Sequence, residues 1–413
     1  FQEEDYFDDS SANRATADVK RCSELLEAAP NGWVMEYYVG KDYSLGGITL
    51  LCKFDGQRVT MASQIAGADE TVSSLYSVKS EQATMLSFDT YNYLVHYFGQ
   101  PQGSMADDPN GTLGGDYEFV ISDATADRIE LKGKKYGNRI VMKAFSADQT
   151  WKQYLTRIKK VEDDAFFYEY DLRMDGLYTG QMLRSNYTFI VTYYDEVGKV
   201  YQKTVPFMFT TDGMRFHEPV TIDGQTMQNF VWKNEEISFV CTDEGATGVK
   251  MKGIYIDGYQ SYDYYPGTYL MDFYRLNGAT NQLEVASQEI QLVKNEDGKS
   301  YWLKGLEYDI LVTYDKPRGG LSILPQFLKK VQGGYVYLAM WDLMNDYVLR
   351  SSAIGLISYP TTDGIYLVDN GVWMGEISGF IFGVYDSQDE EASFMGYTDA
   401  VAAIRLIKKT IEE

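Results

Sequence analysis

From about residue 33 onward, apolar side chains recur at every second position. Ile48, Leu50, Cys52 and Phe54 form one such run, and Leu86 with Phe88, Tyr117 with Phe119 and Ile121, Ile129 with Leu131, and Ile140 with Met142 repeat the pattern. Glu118, Glu130, Lys132 and Lys143 occupy intervening positions. A period of two puts alternate side chains on opposite faces of a strand, so each run predicts a strand with one apolar face. Turn residues such as Asp55 and Gly56 separate the runs at short intervals and predict hairpins. The density of runs over residues 30–160 predicts an up-and-down barrel or a strongly curled, lipocalin-like sheet. Residues 91–98 read as another strand of this unit.

Two stretches depart from that period. Ala15, Val19, Cys22 and Leu26 recur at helical spacing, Ser10 or Ser11 can cap the start, and Pro30, Asn31 and Gly32 end the run, predicting a helix over 11–29. After Ser146, Trp151, Leu155 and Ile158 share one side while Lys152, Lys159 and Lys160 share the other, predicting an amphipathic helix that links two β units.

Beyond it the period of two returns. Phe166, Tyr168, Tyr170 and Leu172 alternate, as do Tyr187, Phe189, Val191 and Tyr193, and then Val205, Phe207 and Phe209. Pro206, which lacks an N–H, predicts an edge or a bulge in the last of these. Strand runs continue from residue 269 to a closing run at 401–407, where Ile404 and Leu406 flank Arg405 in strand fashion. The segment 223–253 loosely echoes 116–145, so a duplicated barrel-like unit is one reading; the shared look of short-strand meanders is the other. The expected fold is therefore all-β and mostly antiparallel, with two or three barrel-like or sandwich-like units. Residues 1–29 form an acidic lead-in and helix, 30–160 a barrel with its linking helix, 161–256 a second β unit and 257–413 a C-terminal β unit.

Composition sharpens the picture. The 413 residues include 35 Tyr and 20 Phe, residues that suit pleated, half-buried surfaces, but only two His and three Cys. The cysteines Cys22, Cys52 and Cys241 have no C-x-x-C spacing and fall on apolar faces, which reads as buried thiols; a Cys22–Cys52 bridge is the alternative. A net charge of -23, from 60 acidic and 37 basic residues, opposes contact with nucleic-acid phosphates. No run reaches the 18 to 20 apolar residues of a spanning helix. The start at Phe1, followed by an acidic stretch to Ser10, is read as the sequel to a removed secretory segment with a lipid-modified Cys; an artificial cut is the other reading.

Candidate chemistry is sparse. His96 and His217 have no second His or Cys at ligand spacing, and neither a G-x-S-x-G elbow nor a G-x-x-x-x-G-K-[ST] loop is present. Glycoside hydrolysis needs only two carboxylates, and a chain this acidic always offers them, so they carry no information here. No cofactor and no catalytic residue is expected. Asp107, Asp108 and Asn110, followed by Asp116, gather hard oxygen ligands of the kind Ca²⁺ prefers, against the plainer reading of a turn. Tyr259, Tyr262, Tyr264 and Tyr265, with Tyr255, surround Asp257 and Asp263. Flat aromatic faces beside carboxylates suit sugar rings, so Tyr259, Tyr262, Tyr264, Tyr265 and Asp263 are the candidate ligand residues. The competing reading makes these tyrosines glue between the second and third units.

Several strings carry a family resemblance: Ala29-Pro30-Asn31-Gly32-Trp33, Leu86-Ser87-Phe88-Asp89-Thr90-Tyr91-Asn92, Gly115-Asp116-Tyr117-Glu118-Phe119, Leu131-Lys132-Gly133-Lys134-Lys135, Thr204-Val205-Pro206-Phe207 and Asn229-Phe230-Val231-Trp232. Together they resemble a family of Bacteroidota surface lipoproteins known as domain of unknown function 4302. The resemblance implies a secreted, lipid-anchored protein of the outer membrane or cell surface, whose relatives often stand beside glycan-uptake systems. It implies no catalytic or binding residues. The expected role is a non-enzymatic accessory binder in glycan capture, with an outer-membrane uptake complex as a possible partner. A structural or partner-docking subunit and a carbohydrate-active enzyme with paired carboxylates are the alternatives.

Overall fold

The period-two runs are strands in the computed structural model, which describes residues 4–96 and 114–410. The chain divides into two compact units, Phe1–Ile254 and Tyr255–Glu413. The first holds two closed barrels of eight strands each, in which every strand is antiparallel to its neighbours in sequence. Trp33–Val39 opens the first barrel and Arg139–Ala144 closes it, pairing from Trp33↔Ala144 to Tyr38↔Arg139. Closure removes the free sheet edges that would otherwise invite aggregation. Inward-facing Trp33, Met35, Tyr37, Ile48, Leu50, Phe88, Phe119 and Leu131 fill the interior.

The N-terminal helix, Glu4–Ala28, begins earlier than Ser10 or Ser11, because nothing in the preceding residues breaks it. It adds Cys22 and Leu26 to the barrel core, and the Trp33 indole N–H donates to the Leu26 carbonyl at 3.0 Å. All three cysteines are buried and unbridged. The strand expected at 91–98 is corrected: Tyr93–His96 is a short helical turn, and the residues after 96 lie outside the described part of the chain. Asn92 causes the difference. It is fully buried, its side-chain oxygen accepts from the Leu94 N–H, and its amide donates to the Ser74 hydroxyl. An Asn side chain that caps the following N–H groups turns the backbone away from a strand.

The linking helix, Trp151–Asp164, starts at Thr150 with a reciprocal capping box to Gln153. Leu155 packs with Val34, Leu51 and Ala62 on the outside of the first barrel, while Ile158 and Val161 enter the core of the second. The second barrel runs from Glu169–Met174 to Val249–Ile254, which pair from Val249↔Met174 to Ile254↔Glu169. The echo between 116–145 and 223–253 falls on topologically equivalent elements, the last three strands of each eight-stranded meander. Pro206 pairs with Thr188 on one side, whereas on the other side pairing begins only at Phe207↔Phe216. The expected edge is thus local, a gap in the ladder of a closed barrel.

A polar seam joins these two barrels. Glu36 of the first receives Lys143 at 2.9 Å and Arg215 of the second at 2.6 Å, with only 14% of its side chain exposed. His217 lies 4.1 Å from Tyr38 and 4.8 Å from Tyr43, ring to ring. At Gly46 the backbones meet, and Tyr187 donates its N–H to the Leu45 carbonyl at 3.0 Å. A Cβ on Gly46 would stand 1.9 Å from the Tyr187 carbonyl oxygen, at a φ of +81° that disfavours any other residue.

The second unit contains a third ring of eight strands, closed because Gly267–Asn277 pairs with Phe394–Lys408. From that ring a flap branches outward: Gly379–Tyr385, Gly334–Asp342 and Gln326–Val331 in spatial order, with Tyr347–Leu349 beside the second. Phe394–Lys408 serves both parts. One edge holds Gly267–Asn277; the other pairs first with Gly379–Tyr385 and then, at Arg405 and Leu406, with Gly364–Asp369. Ala403 stands at the hand-over with φ 51°, and its N–H turns to the Ser378 carbonyl at 3.0 Å. The single extra residue bends the strand so that it can leave one partner for the next.

Candidate functional site

The tyrosine-rich segment 255–266 leads into the third barrel, and a hydroxyl group must find a partner wherever the interior takes it from water. That requirement sorts the tyrosines. Tyr265 is buried and donates to the Gly319 carbonyl at 2.8 Å; Tyr262 is half-buried, donates to the Ser300 carbonyl at 2.8 Å and stacks on Tyr301 at 4.8 Å. The barrel's own tyrosines answer in kind. Tyr301 donates to the Tyr262 carbonyl, Tyr269 to the Tyr265 carbonyl and Tyr314 to the Gln260 carbonyl, at 2.7, 2.7 and 2.6 Å. Burial holds the phenols of Tyr269 and Tyr301 well above their ordinary pKa, so they stay neutral donors. Tyr262 and Tyr265 are therefore parts of a plug within their own unit, and Tyr265 offers no face to a ligand.

The rest of the candidate set lies nearer the surface. Tyr264 is 39% exposed, with the Lys408 ammonium 4.4 Å from its ring centre. Asp263 is exposed and paired with Lys294. Tyr259 is half-buried against Tyr255, centroids 4.6 Å apart, and lies so close to Gly319 that a Cβ there would be 2.4 Å from its ring.

A second aromatic surface escaped the sequence reading. Four adjacent strands of the second unit each place a ring on the same face of the flap, in the order Phe327, Tyr337, Tyr385, Phe394. Successive centroids are 5.4, 5.6 and 5.6 Å apart, all in edge-to-face geometry. Phe327 and Phe394, at the two ends, are 45% and 43% exposed, while Tyr385 is buried. Gly383, directly opposite Tyr337, leaves the space that the Tyr385 and Phe394 rings use; a Cβ there would meet each at 3.0 Å. Beside this ladder opens a cavity of about 460 Å³ lined by Tyr337, Arg350, Ser351, Ser352, Gln388 and Glu390. The Arg350 guanidinium lies 4.5 Å from the Tyr337 ring and 4.1 Å from the Tyr385 ring, and donates to the Asp389 carbonyl at 2.6 Å.

The other candidates are placed plainly. Of the calcium set, Asp107, Asp108 and Asn110 lie outside the described residues. Asp116 is buried, and its two oxygens accept from the N–H groups of Lys135, Tyr136 and Asn138 and from the Asn138 side chain, at 2.9, 3.0, 3.1 and 2.6 Å. Its carboxylate thus anchors the turn after Gly133. His96 stacks on Tyr117 at 5.0 Å. Among the described residues, no three His, Cys, Asp or Glu side chains stand close enough together to hold a metal ion, and no helix is long and apolar enough to cross a membrane.

Two family models match the chain. Residues 3–234 match a domain of unknown function (DUF4302), and residues 242–381 are similar to a second domain of unknown function (DUF4987). No curated protein matches the chain.

Proposed function

The chain belongs to the DUF4302 family, and from that premise we propose that it is a non-enzymatic glycan-binding protein, an accessory to glycan capture at the outer envelope. The observation that carries this reading is the ring ladder Phe327–Tyr337–Tyr385–Phe394 beside an open cavity. Aromatic rings present flat apolar faces to the C–H side of a sugar, and hydroxyl and amide groups such as those of Ser351, Ser352 and Gln388 suit its rim. The cavity's dimensions lie in the range of small-ligand sites, roughly 300 to 1,000 Å³. Glu390 is the one carboxylate among its lining residues, whereas the usual glycoside hydrolysis uses two, which favours binding over cleavage. Placement on the outer envelope, through a lipid anchor, rests on the resemblance of the turn and strand strings.

The test is a glycan array followed by titration of retained glycans, with Phe327→Ala/Phe394→Ala as the control. The proposal expects at least one glycan retained at millimolar concentration and an affinity loss of about tenfold or more in the double variant, as lost stacking implies. A blank array would overturn it and leave the docking-subunit reading in its place.

A further inference from the structure

Arg350 is placed unusually for a chain with 60 acidic and 37 basic residues. Surface arginines elsewhere in the second unit find carboxylates: Arg275 pairs with Asp399, Arg318 with Asp315 and Arg405 with Asp272. Arg350 instead donates from Nη2 to the backbone carbonyls of Asp389 and Glu390, at 2.6 and 3.5 Å, and pairs with no carboxylate among the described residues. The rings of Tyr337 and Tyr385, edge-to-face to each other, both lie against its guanidinium and seat the cation. Its Nε and Nη1 groups have no acceptor among the described residues, and the side chains of Ser351, Ser352 and Gln388 in the same cavity are likewise without a hydrogen bond there.

A guanidinium seated against two rings, with its Nε and Nη1 donors unfilled and with hydroxyls and an amide in the same cavity beside the aromatic ladder, fits a carboxylate carried on a sugar ring. Resting on the glycan-binding reading above, we infer that the ladder's ligand is an acidic glycan, whose uronic-acid carboxylate is received by Arg350. Glu390 opposes this charge from the cavity wall and so limits the affinity.

Calorimetric titration with tetrasaccharides containing glucuronate, galacturonate or mannuronate, each beside its carboxyl-reduced counterpart, tests the inference. At least one acidic form binds about tenfold or more tightly than its reduced partner, as a charge-assisted contact implies. Arg350→Gln abolishes that preference, Arg350→Lys retains only part of it because the planar guanidinium seated on the two rings is lost, and Glu390→Gln, at an exposed position that leaves folding intact, enlarges it. Equal binding of every acidic and reduced pair overturns the inference while leaving the glycan-binding reading in place. Tighter binding of a reduced form does the same, as does a preference that survives Arg350→Gln in a protein with unchanged melting temperature. Failure of all the pairs, acidic and reduced alike, overturns the acidic-ligand inference; a neutral glycan retained on the array then shows that the broader reading survives.

Discussion

Replacing Glu36 with Gln keeps the shape of the side chain and removes the charge that two cations share. Lys143 at 2.9 Å comes from the first barrel and Arg215 at 2.6 Å from the second, so the substitution acts on the seam between them. Removing one partner of a fully buried ion pair costs about 3 to 5 kcal/mol, because the other charge stays desolvated. Here the Arg215 side chain is 25% exposed and that of Lys143 is 44% exposed, so both recover some hydration. That lowers the expected cost to about 2 kcal/mol. Arg215→Met leaves Glu36 with Lys143 and costs about 1 kcal/mol; the double variant costs less than the sum by about 1 kcal/mol, the coupling of groups in direct contact. A chain of several barrels is not expected to unfold in one step, so the appropriate measurement is native-state hydrogen exchange of the segments Trp33–Val39 and Gly213–Ile222, read as local opening free energies. Protection of both segments unchanged in Glu36→Gln, or strict additivity in the double variant, would refute the assignment of the seam to this triad.

Two further outcomes follow from buried polar groups. Burial first, with Arg139 and Arg215 adding to it and Glu218 opposing, holds the His217 imidazole below its ordinary 6.5. The unfolded chain therefore takes up the proton more readily, so this group's contribution is complete above pH 6.5 and is lost as pH falls through the folded-state value. His217→Phe, which keeps a ring against Tyr38 and Tyr43, flattens the dependence of melting temperature on pH below 6.5; a slope there identical to that of the parent counts against the reading. Asp116→Asn turns an acceptor toward Asn138 into a donor facing donors, at a cost of about 2 to 3 kcal/mol and roughly 5 to 10 °C in the melting transition of the first unit. A melting curve that does not move would show that the turn holds itself together without the carboxylate.

How much of this could be read along the chain depended on how local the pairing is. In the first two barrels each strand pairs with the next, so chain order is spatial order; alternation pointed to such a meander for the first barrel and only to a β unit for the second, and it passed over strands with a weaker pattern such as Val72–Ser80. The third ring does not obey that rule. Ile404 and Leu406 announce a strand, but nothing in them tells that Ala403 takes a positive φ and lets one strand serve three partners. Alternating aromatics at 91–98 pointed to a strand because the capping by Asn92 is a side-chain event that periodicity does not register. The tyrosines of 255–266 were visible as a group, but which of them turn inward depends on carbonyls at Ser300 and Gly319, far away in sequence. The ladder was invisible for the same reason: Phe327 and Phe394 lie on strands that meet only through two others. A signal did exist in Tyr335 and Tyr337, which alternate with the core residues Val336 and Leu338 and so had to face away from the core.

The strand Phe394–Lys408 has a consequence for biosynthesis. It is the last of its unit's strands to leave the ribosome, yet the ring and the flap both require it, so neither can be completed while translation of the unit is under way. Until then Gly267–Asn277 and Gly379–Tyr385 each present an unpaired edge to whatever chain is nearby. Completion of this half therefore waits on its last strand and on protection from mispairing until then, and a nascent chain stalled before residue 394 would leave Gly267–Asn277, Gly364–Asp369 and Gly379–Tyr385 each without the partner that Phe394–Lys408 supplies.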